Sequence, residues 1–445
     1  MAGKSGYEVI PGARRLITSL RDMGYDFAAA VADLVDNSIE AGASLVAIDV
    51  EFDGDDSWVR IADNGKGMTP EELREAMRYG AERDYKEEDL GKFGLGLKTA
   101  SMSQCRRLSV ASRYSRGRAD ITAYCWDLDH IERTNRWEII PLEKTGVGPA
   151  VRTPLKDTTG TVVLWQQLDR ILGYKHPYGD SARKRISQMC RELEDHLGMV
   201  FHRFLKGEVK DKNLRVIMLN GNEIRAWDPF CKAEHATKKL EKMRLPVEHE
   251  GIKGQVLLEP FVLPHQDDFS SQEAFRRAGG PASWNQQQGF YIYRAGRMIQ
   301  SGGWCRLRTA DEHTKLARVG LSFSPALDEA FKINVAKMRV QLPASIRDEI
   351  ARIVGPVVKL ARESYDRKPR SKPGSGSRSK VAEETLEPGG GRSRSGDSGR
   401  GGTPGRDLFT FDQVADLLRE VTTEAEQSLV ESIIRRLRKA MRDAQ

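Results

Sequence analysis

The chain has 445 residues and a formal net charge of +7, with 39% hydrophobic and 30% charged residues, a composition that suits about two or three domains with enough apolar material for sizeable cores. No run of about 18 apolar residues occurs, and the N-terminus "MAGKSGYEVI" lacks the charged-then-apolar layout of a secretory leader; a soluble, intracellular (cytoplasmic) protein with no membrane partner is expected. The five cysteines are scattered, odd in number and never in a CxxC pair, which argues against a disulfide framework and a zinc site.

The first strongly patterned segment is "FAAAVADLVDNSIEAGAS", residues 27–44. At helical spacing Phe27, Val31, Leu34 and Val35 fall on one side and Asp33, Asp36, Asn37 and Glu40 on the other, with Gly42 placed to end the helix. This fits an ordinary amphipathic helix with a solvated acidic face. It equally fits a helix on which Asp33 and Asn37, one turn apart, point into a site that holds a cation and a water.

Two strand-like segments follow, "SLVAIDVEF" and "WVRIADNGKGM", the second running into Asp63, Gly65 and Gly67. An aspartate at a strand end beside glycines lets backbone approach a flat ligand, with a carboxylate ready to accept from it; a plain Asn-Gly hairpin gives the same pattern. The stretch "LGKFGLGLKTASMS" sets Gly91, Gly94 and Gly96 before a helix starting near Leu97, with Lys98 close by. Free amides at a helix start suit phosphate, although the spacing is not GxxxxGK[ST]. Further on, "TGTVVLWQQL" takes Gly160 and Thr161 into a strand, and Ser181 to Phe204 reads as a long amphipathic connecting helix.

Residues 205–345 read as strands around "VIMLNGNEIRAW", with Asn220-Gly221 as a tight hairpin, and "QVLLEPFVLP". His202, His235 and His313 are too far apart in sequence to suggest a metal site, and a structural role is expected for them. Between Arg367 and Arg406, ten Lys or Arg oppose four Asp or Glu, a local net charge of +6 in a Gly-, Ser-, Pro- and Arg-rich stretch. Such a segment cannot offset its own ordering entropy and is expected to be a disordered basic linker. The end of the chain opens on a capping-box pattern, Thr410 to Gln413, and carries apolar residues at 414, 417, 418 and 421, then 430, 434, 437 and 441. That is an amphipathic helix or helix pair too short to be stable alone, so it is expected to pair with another helix.

In this order the motifs resemble the boxes of the GHKL ATPase superfamily, which includes gyrase B, the heat-shock chaperone of that fold, histidine kinases, MutL and MORC proteins. Residues 33–44 resemble the N box, "DNGKGM" the G1 box, "GKFGLGLKTAS" the G2 box and "TGT" the G3 box. The phenylalanine, lysine and serines of "FGLGLKTASMS" are most similar to the MORC branch. The segments "GFYIYRAGRMIQSGGW" (289–304) and "LDEAFKINVAKMRVQLP" (327–343) look like the strand and switch-lysine segments of a transducer domain.

The resemblance implies an α+β chain. A Bergerat-type α/β sandwich ATPase domain with its connecting helix spans 1–204, and a transducer-like α+β domain spans 205–366. The basic linker at 367–406 and the helical segment at 407–445 lie outside the resemblance. It implies ATP and Mg2+ as ligands. Asn37 would ligate the magnesium, Asp63 would accept from the adenine amino group with Thr161 in support, and Gly65 and Gly67 would give the base room. Gly94, Gly96, Lys98 and Thr99 would hold phosphates, with Met68 and Leu95 among the nucleotide contacts. Tyr79 to Leu90 would be a lid, and Lys337 would reach the γ-phosphate from the second domain. Asp33 stands where most of the superfamily has glutamate as general base; the side chain is one methylene shorter, which either a shift of the helix or an extra water offsets or which leaves hydrolysis slow. The expected activity is that of an ATP-gated dimerisation switch acting on DNA, with the basic linker supplying phosphate attraction. A chaperone-like or partner-recruiting ATP-binding protein is the alternative; a histidine kinase fits less well, because no phosphoacceptor histidine helix precedes the site.

Overall fold

The computed structural model describes residues 11–22, 25–80, 96–115, 120–143, 148–174, 176–333 and 340–367. Two mixed sheets organise these residues. The first contains β1 (Leu45–Glu51), β2 (Trp58–Asp63), β3 (Arg107–Arg113), β4 (Thr122–Asp127), β5 (Ile140–Pro141), β6 (Gly160–Gln166), β7 (Val216–Leu219) and β8 (Asn222–Glu223), in the order β5-β4-β3-β6-β2-β1-β7-β8. β2 is antiparallel to both neighbours, pairing Ile61 with Ile48 of β1 and with Val163 of β6.

The side chains of these strands alternate between two apolar layers. Val46, Ile48, Val59, Ile61, Leu108, Val110 and Trp165 join the main core with residues of α1 (Ala13–Arg21), α2 (Phe27–Glu40), α3 (Pro70–Met77), α4 (Gly96–Met102), α5 (Leu128–Thr134) and α7 (Asp180–Val200). Ala62, Ala111, Val162 and Leu164 point the other way and meet Val151 and Leu155 of α6 (Pro149–Leu155). This period-two division makes the layered sandwich. The helix α2 starts where the Asp26 carboxylate accepts from Ala29 N–H at 2.8 Å. It stops where Gly42, at φ +75°, turns its N–H back to the Ile39 carbonyl. The helix α3 has a complete capping box, Thr69 with Glu72, and Pro70 in its first turn.

The helix α7 buries Ala182, Ile186, Met189, Leu193, Leu197 and Val200 at spacings of three and four and is followed by the short α8 (His202–Leu205). The second sheet holds β9 (Lys238–Lys239), β10 (Met243–His249), β11 (Ile252–Val262), β12 (Gly289–Arg294), β13 (Arg297–Ser301) and β14 (Ala317–Phe323), with the path β10-β11-β14-β12-β13 and β9 paired to β11. α9 (Gln272–Ala278) lies between β11 and β12 in the chain. α10 (Ala344–Tyr365) packs Ile346, Ile350, Val354, Val357 and Val358 into the core of this sheet.

Three expectations change here. The helix from residue 27 has no solvated acidic face, since Asp33 is 4% exposed and Asp36 1%. The Asp63 turn is no hairpin: β2 runs between β1 and β6, and the chain after it enters α3. The hairpin at Asn220-Gly221 forms, with φ of +48° and +80°, but β7 pairs in parallel with β1. The first sheet therefore reaches past residue 204, the boundary expected from sequence. Residues 81–90 of the expected lid, Gly91, Gly94, Leu95, Lys337, the linker from 368 and the segment 407–445 lie outside the described residues.

Candidate functional site

Asp63 closes β2, and its carboxylate gathers three separate segments. Oδ1 accepts from Gly65 N–H at 2.8 Å and from Thr161 N–H at 3.3 Å, and Oδ2 accepts from the Ser38 hydroxyl at 3.2 Å. Burial pushes this carboxyl up to about 6, against the lowering effect of the Gly65, Ser38 and Thr161 bonds. The start of β6 approaches so closely that a Cβ on Gly160 would fall 1.9 Å from the Asp63 carbonyl oxygen, and Gly160 sits at φ +146°. Gly67, at φ +70°, would place a Cβ 2.0 Å from the Arg113 carbonyl. Gly65 would meet Ala41. Each of these glycines thus serves a close approach of protein to protein, a requirement beyond the room for a base that the sequence suggested.

Ser112 ties the same region together. Its Oγ accepts from Met68 N–H at 2.8 Å, lies 3.0 Å from the Thr161 hydroxyl and donates to the Gly160 carbonyl at 3.0 Å. Sequence reasoning missed Ser38 and Ser112. For Ser38 the signal was available, because it follows Asn37 and so lies on the helix end nearest the Asp63 turn; for Ser112, in the middle of a strand-like run, there was none.

One turn before Asn37, Asp33 is buried with Oδ2 accepting from the Tyr25 hydroxyl at 3.0 Å. Burial, reinforced by the charge of Asp33, holds the Tyr25 phenol far above its usual range, so it stays a donor. The first residue of α4 adjoins the same carboxylate, since a Cβ on Gly96 would come 3.5 Å from Asp33 Oδ2. Asn37 is exposed between buried Asp36 and Ser38. The structure therefore sets Asp33 beside the start of α4 and places Ser38 and Thr161 on Asp63.

Lys98 takes a different position from the one expected of a phosphate ligand. It is 3% exposed, its Nζ donates to the Ala76 carbonyl at 3.0 Å near the end of α3, and burial pulls its ammonium down to about 8. In the same helix the hydroxyls of Thr99 and Ser101 are buried with no hydrogen-bond partner among the described residues, an uncommon cost that marks them as donors suited to a further acceptor. Tyr79, where the expected lid begins, packs its ring 5.5 Å from those of both Trp126 and Trp137. His202 is buried with Nε2 2.8 Å from the Tyr293 hydroxyl, and burial takes its imidazole down to about 3. No cluster of three His, Cys, Asp or Glu able to hold a metal occurs among the described residues.

Residues 25–161, which contain all four boxes, match the family described as histidine kinase-, DNA gyrase B- and HSP90-like ATPases. This segment is similar to the GHKL ATPase superfamily and carries the resemblance. It is 25% identical over 237 residues to the DNA mismatch repair protein MutL of Haemophilus influenzae, covering 52% of this chain and 33% of that protein. MutL of Pasteurella multocida is 37% identical over 91 residues, 19% of this chain and 15% of that protein. Protein MICRORCHIDIA 6 of Arabidopsis thaliana is 33% identical over 92 residues, 20% of this chain and 14% of its own length. The chain thus spans a third or less of each of these relatives. The match to this ATPase family agrees with the α+β class and with ATP as the expected ligand type, and the MICRORCHIDIA match agrees with the MORC-like form of the glycine segment. No described helix is long and apolar enough to cross a membrane.

Proposed function

We propose that this protein binds Mg-ATP between α2, the Asp63 turn and α4, hydrolyses it slowly, and uses the cycle to gate dimerisation on DNA. The observation that carries the reading is the Asp63 carboxylate, on which Ser38, Gly65 and Thr161 converge from three boxes of the GHKL domain. A buried acceptor with its surroundings already satisfied by donors is suited to take one further N–H from an adenine amino group. The orphaned Thr99 and Ser101 hydroxyls and the exposed Asn37 carboxamide fit an anionic ligand with a hard cation. Magnesium, when bound, would neutralise phosphate charge and retain waters of its own. Asn37 would hold it, Gly94, Leu95 and Gly96 would face the phosphates with Thr99, and Met68 would line the base pocket. Asp33 would accept a proton from the attacking water on its carboxylate. Lys337 would reach the γ-phosphate. Lys98, tied to Ala76, would have to exchange that carbonyl for a phosphate oxygen to contribute.

This reading fixes a pH dependence. The Asp63 carboxyl is raised to about 6, so above that pH it is an ionised acceptor, and below it the proton must be displaced before the amino group can donate. ATP affinity is expected to be flat between pH 7 and 8 and to fall as pH drops through about 6, by at most about tenfold per unit for a single proton. Calorimetric titration from pH 5 to 8 measures this. In Asp63→Asn the decline should be absent; a decline that persists in that variant assigns it to another group.

The dimerisation part of the reading rests on the apolar stripe in residues 407–445 and the basic segment before it, and on relatives two of which are named for DNA mismatch repair. ATP should bring the N-terminal domains together, while the end segment self-associates without nucleotide, its stripe covered by a second copy. A linker of about 40 residues between the two contacts would let the closed pair surround DNA. Deleting residues 407–445 is expected to keep the ATP-dependent dimer and remove the nucleotide-free one in sedimentation. Full-length protein that sediments as a monomer without ATP would instead favour a different protein as the partner of the end segment.

A further inference from the structure

Arg297 begins β13 in the second sheet, yet its guanidinium lies on the N-box helix of the first domain. Its Nε sits 2.9 Å and 2.8 Å from the two carboxylate oxygens of Asp36, and its Nη2 is 3.7 Å from Asp33 Oδ1. All three side chains are buried, at 3%, 1% and 4% exposure for Arg297, Asp36 and Asp33. The ring of Phe201, just after α7, lies 5.9 Å from the cation. The Asp36 bond spans 261 residues of sequence, and nothing in the nucleotide boxes points to it.

A buried ion pair between Arg297 and Asp36 would be enough to tie two domains together. The second carboxylate makes the arrangement unusual, since burying another charge near the same guanidinium costs desolvation. Asp33 has a described neighbour facing each oxygen. Tyr25, from the segment before α2, donates to Oδ2, and Arg297, from the second sheet, faces Oδ1. With only two side-chain torsions and a reach one methylene shorter than glutamate, Asp33 has little room to follow a displacement of either neighbour. The 3.7 Å separation exceeds the charge-assisted hydrogen-bond range of about 2.7–2.9 Å, so a shift of roughly 1 Å between the β12–β13 hairpin and α2 would change which contacts Oδ1 makes.

We propose that Arg297 is a positioning residue for the Asp33 carboxylate, through which displacement of the second sheet sets the geometry of the proton acceptor. The inference rests on the functional reading above, because it needs Asp33 to act on water. It gives that reading a regulatory connection: any ligand or partner that moves the hairpin alters turnover without touching the nucleotide.

The test separates nucleotide affinity from the hydrolytic step in the full chain. Arg297→Gln should keep the ATP dissociation constant within about threefold and slow single-turnover hydrolysis on the order of 10- to 100-fold, the range for a misplaced catalytic group. Arg297→Lys, which keeps the charge but not the planar two-point fork, should recover part of that loss. Asp36→Asn, which weakens the hold on Arg297, should slow hydrolysis with affinity retained. A folded Arg297→Gln protein with the wild-type rate overturns the proposal, and so does a loss of rate matched by an equal loss of ATP affinity, which marks a purely structural role. If Arg297→Gln does not fold, wild-type rates in both Arg297→Lys and Asp36→Asn overturn it. A wild-type chain that binds no ATP overturns the functional reading and this inference with it, whereas a wild type that turns over ATP beside unaffected variants overturns the inference alone.

Discussion

Asp63→Ala is expected to weaken ATP binding by at least about 100-fold, on the scale of losing a hydrogen bond to a charged group of about 1.5–3 kcal/mol together with the order around it. The carboxylate accepts from Ser38, Gly65 and Thr161, so alanine removes the acceptor for the base and leaves those donors without their partner. Asp63→Asn divides the two effects. Its amide oxygen can still accept from the Gly65 and Thr161 N–H groups, but the charge is gone. Because the folded carboxyl is raised to about 6 from 3.8, its ionisation opposes folding once pH exceeds the unfolded value, and the whole penalty is present above about 6. Asp63→Asn should therefore raise stability at pH 8 by about 1–2 kcal/mol, with no gain at pH 4, while still impairing ATP binding. Thermal unfolding at the two pH values with calorimetric titration measures both. Unchanged ATP affinity in a folded Asp63→Ala protein would remove the base from this pocket.

The second large effect concerns Asp33. Asp33→Asn keeps the volume and one acceptor oxygen and removes the ability to take a proton, so hydrolysis should fall by about two to four orders of magnitude with ATP still bound. The Tyr25 hydroxyl can donate to the amide oxygen as it does to Oδ2, so the fold around the site should survive. Loss of negative charge beside Arg297 leaves Asp36 as that residue's two-point partner. Asp33→Glu lengthens the arm by one methylene in a buried space bounded by Tyr25, Gly96 and Arg297, where it must displace a neighbour to fit; the direction of its effect on turnover separates reach from packing as the limit on rate. Wild-type hydrolysis in Asp33→Asn, measured by phosphate release, would assign the proton acceptor to another group.

The sequence by itself determined the local chemistry of this domain. The caps and turns that end α2 and the period-two strands around them are set by interactions within a few residues, and the order of the motifs along the chain was legible through its resemblance to four boxes, whereas the close approaches that require Gly160 and Gly67 join residues far apart in sequence. The amphipathic α7 was legible from its local spacing. The stripe of Ile346, Ile350, Val354, Val357 and Val358 in α10 has that spacing too but was passed over beside the strand-rich segments before it. What only the tertiary structure decided depends on residues far apart. The parallel pairing of β7 with β1 carried the first sheet across a boundary drawn from local pattern. Asp33 and Asp36 look like a solvated face on a helical wheel, because the wheel shows which side of the helix they share and not what lies against that side. Their burial became tolerable once Arg297 arrived from the second sheet and Tyr25 from the segment before α2, since a buried carboxylate persists only where charge and hydrogen bonds compensate its lost water. That compensation comes from a residue 261 positions away, and neither periodicity nor propensity carries information over that distance.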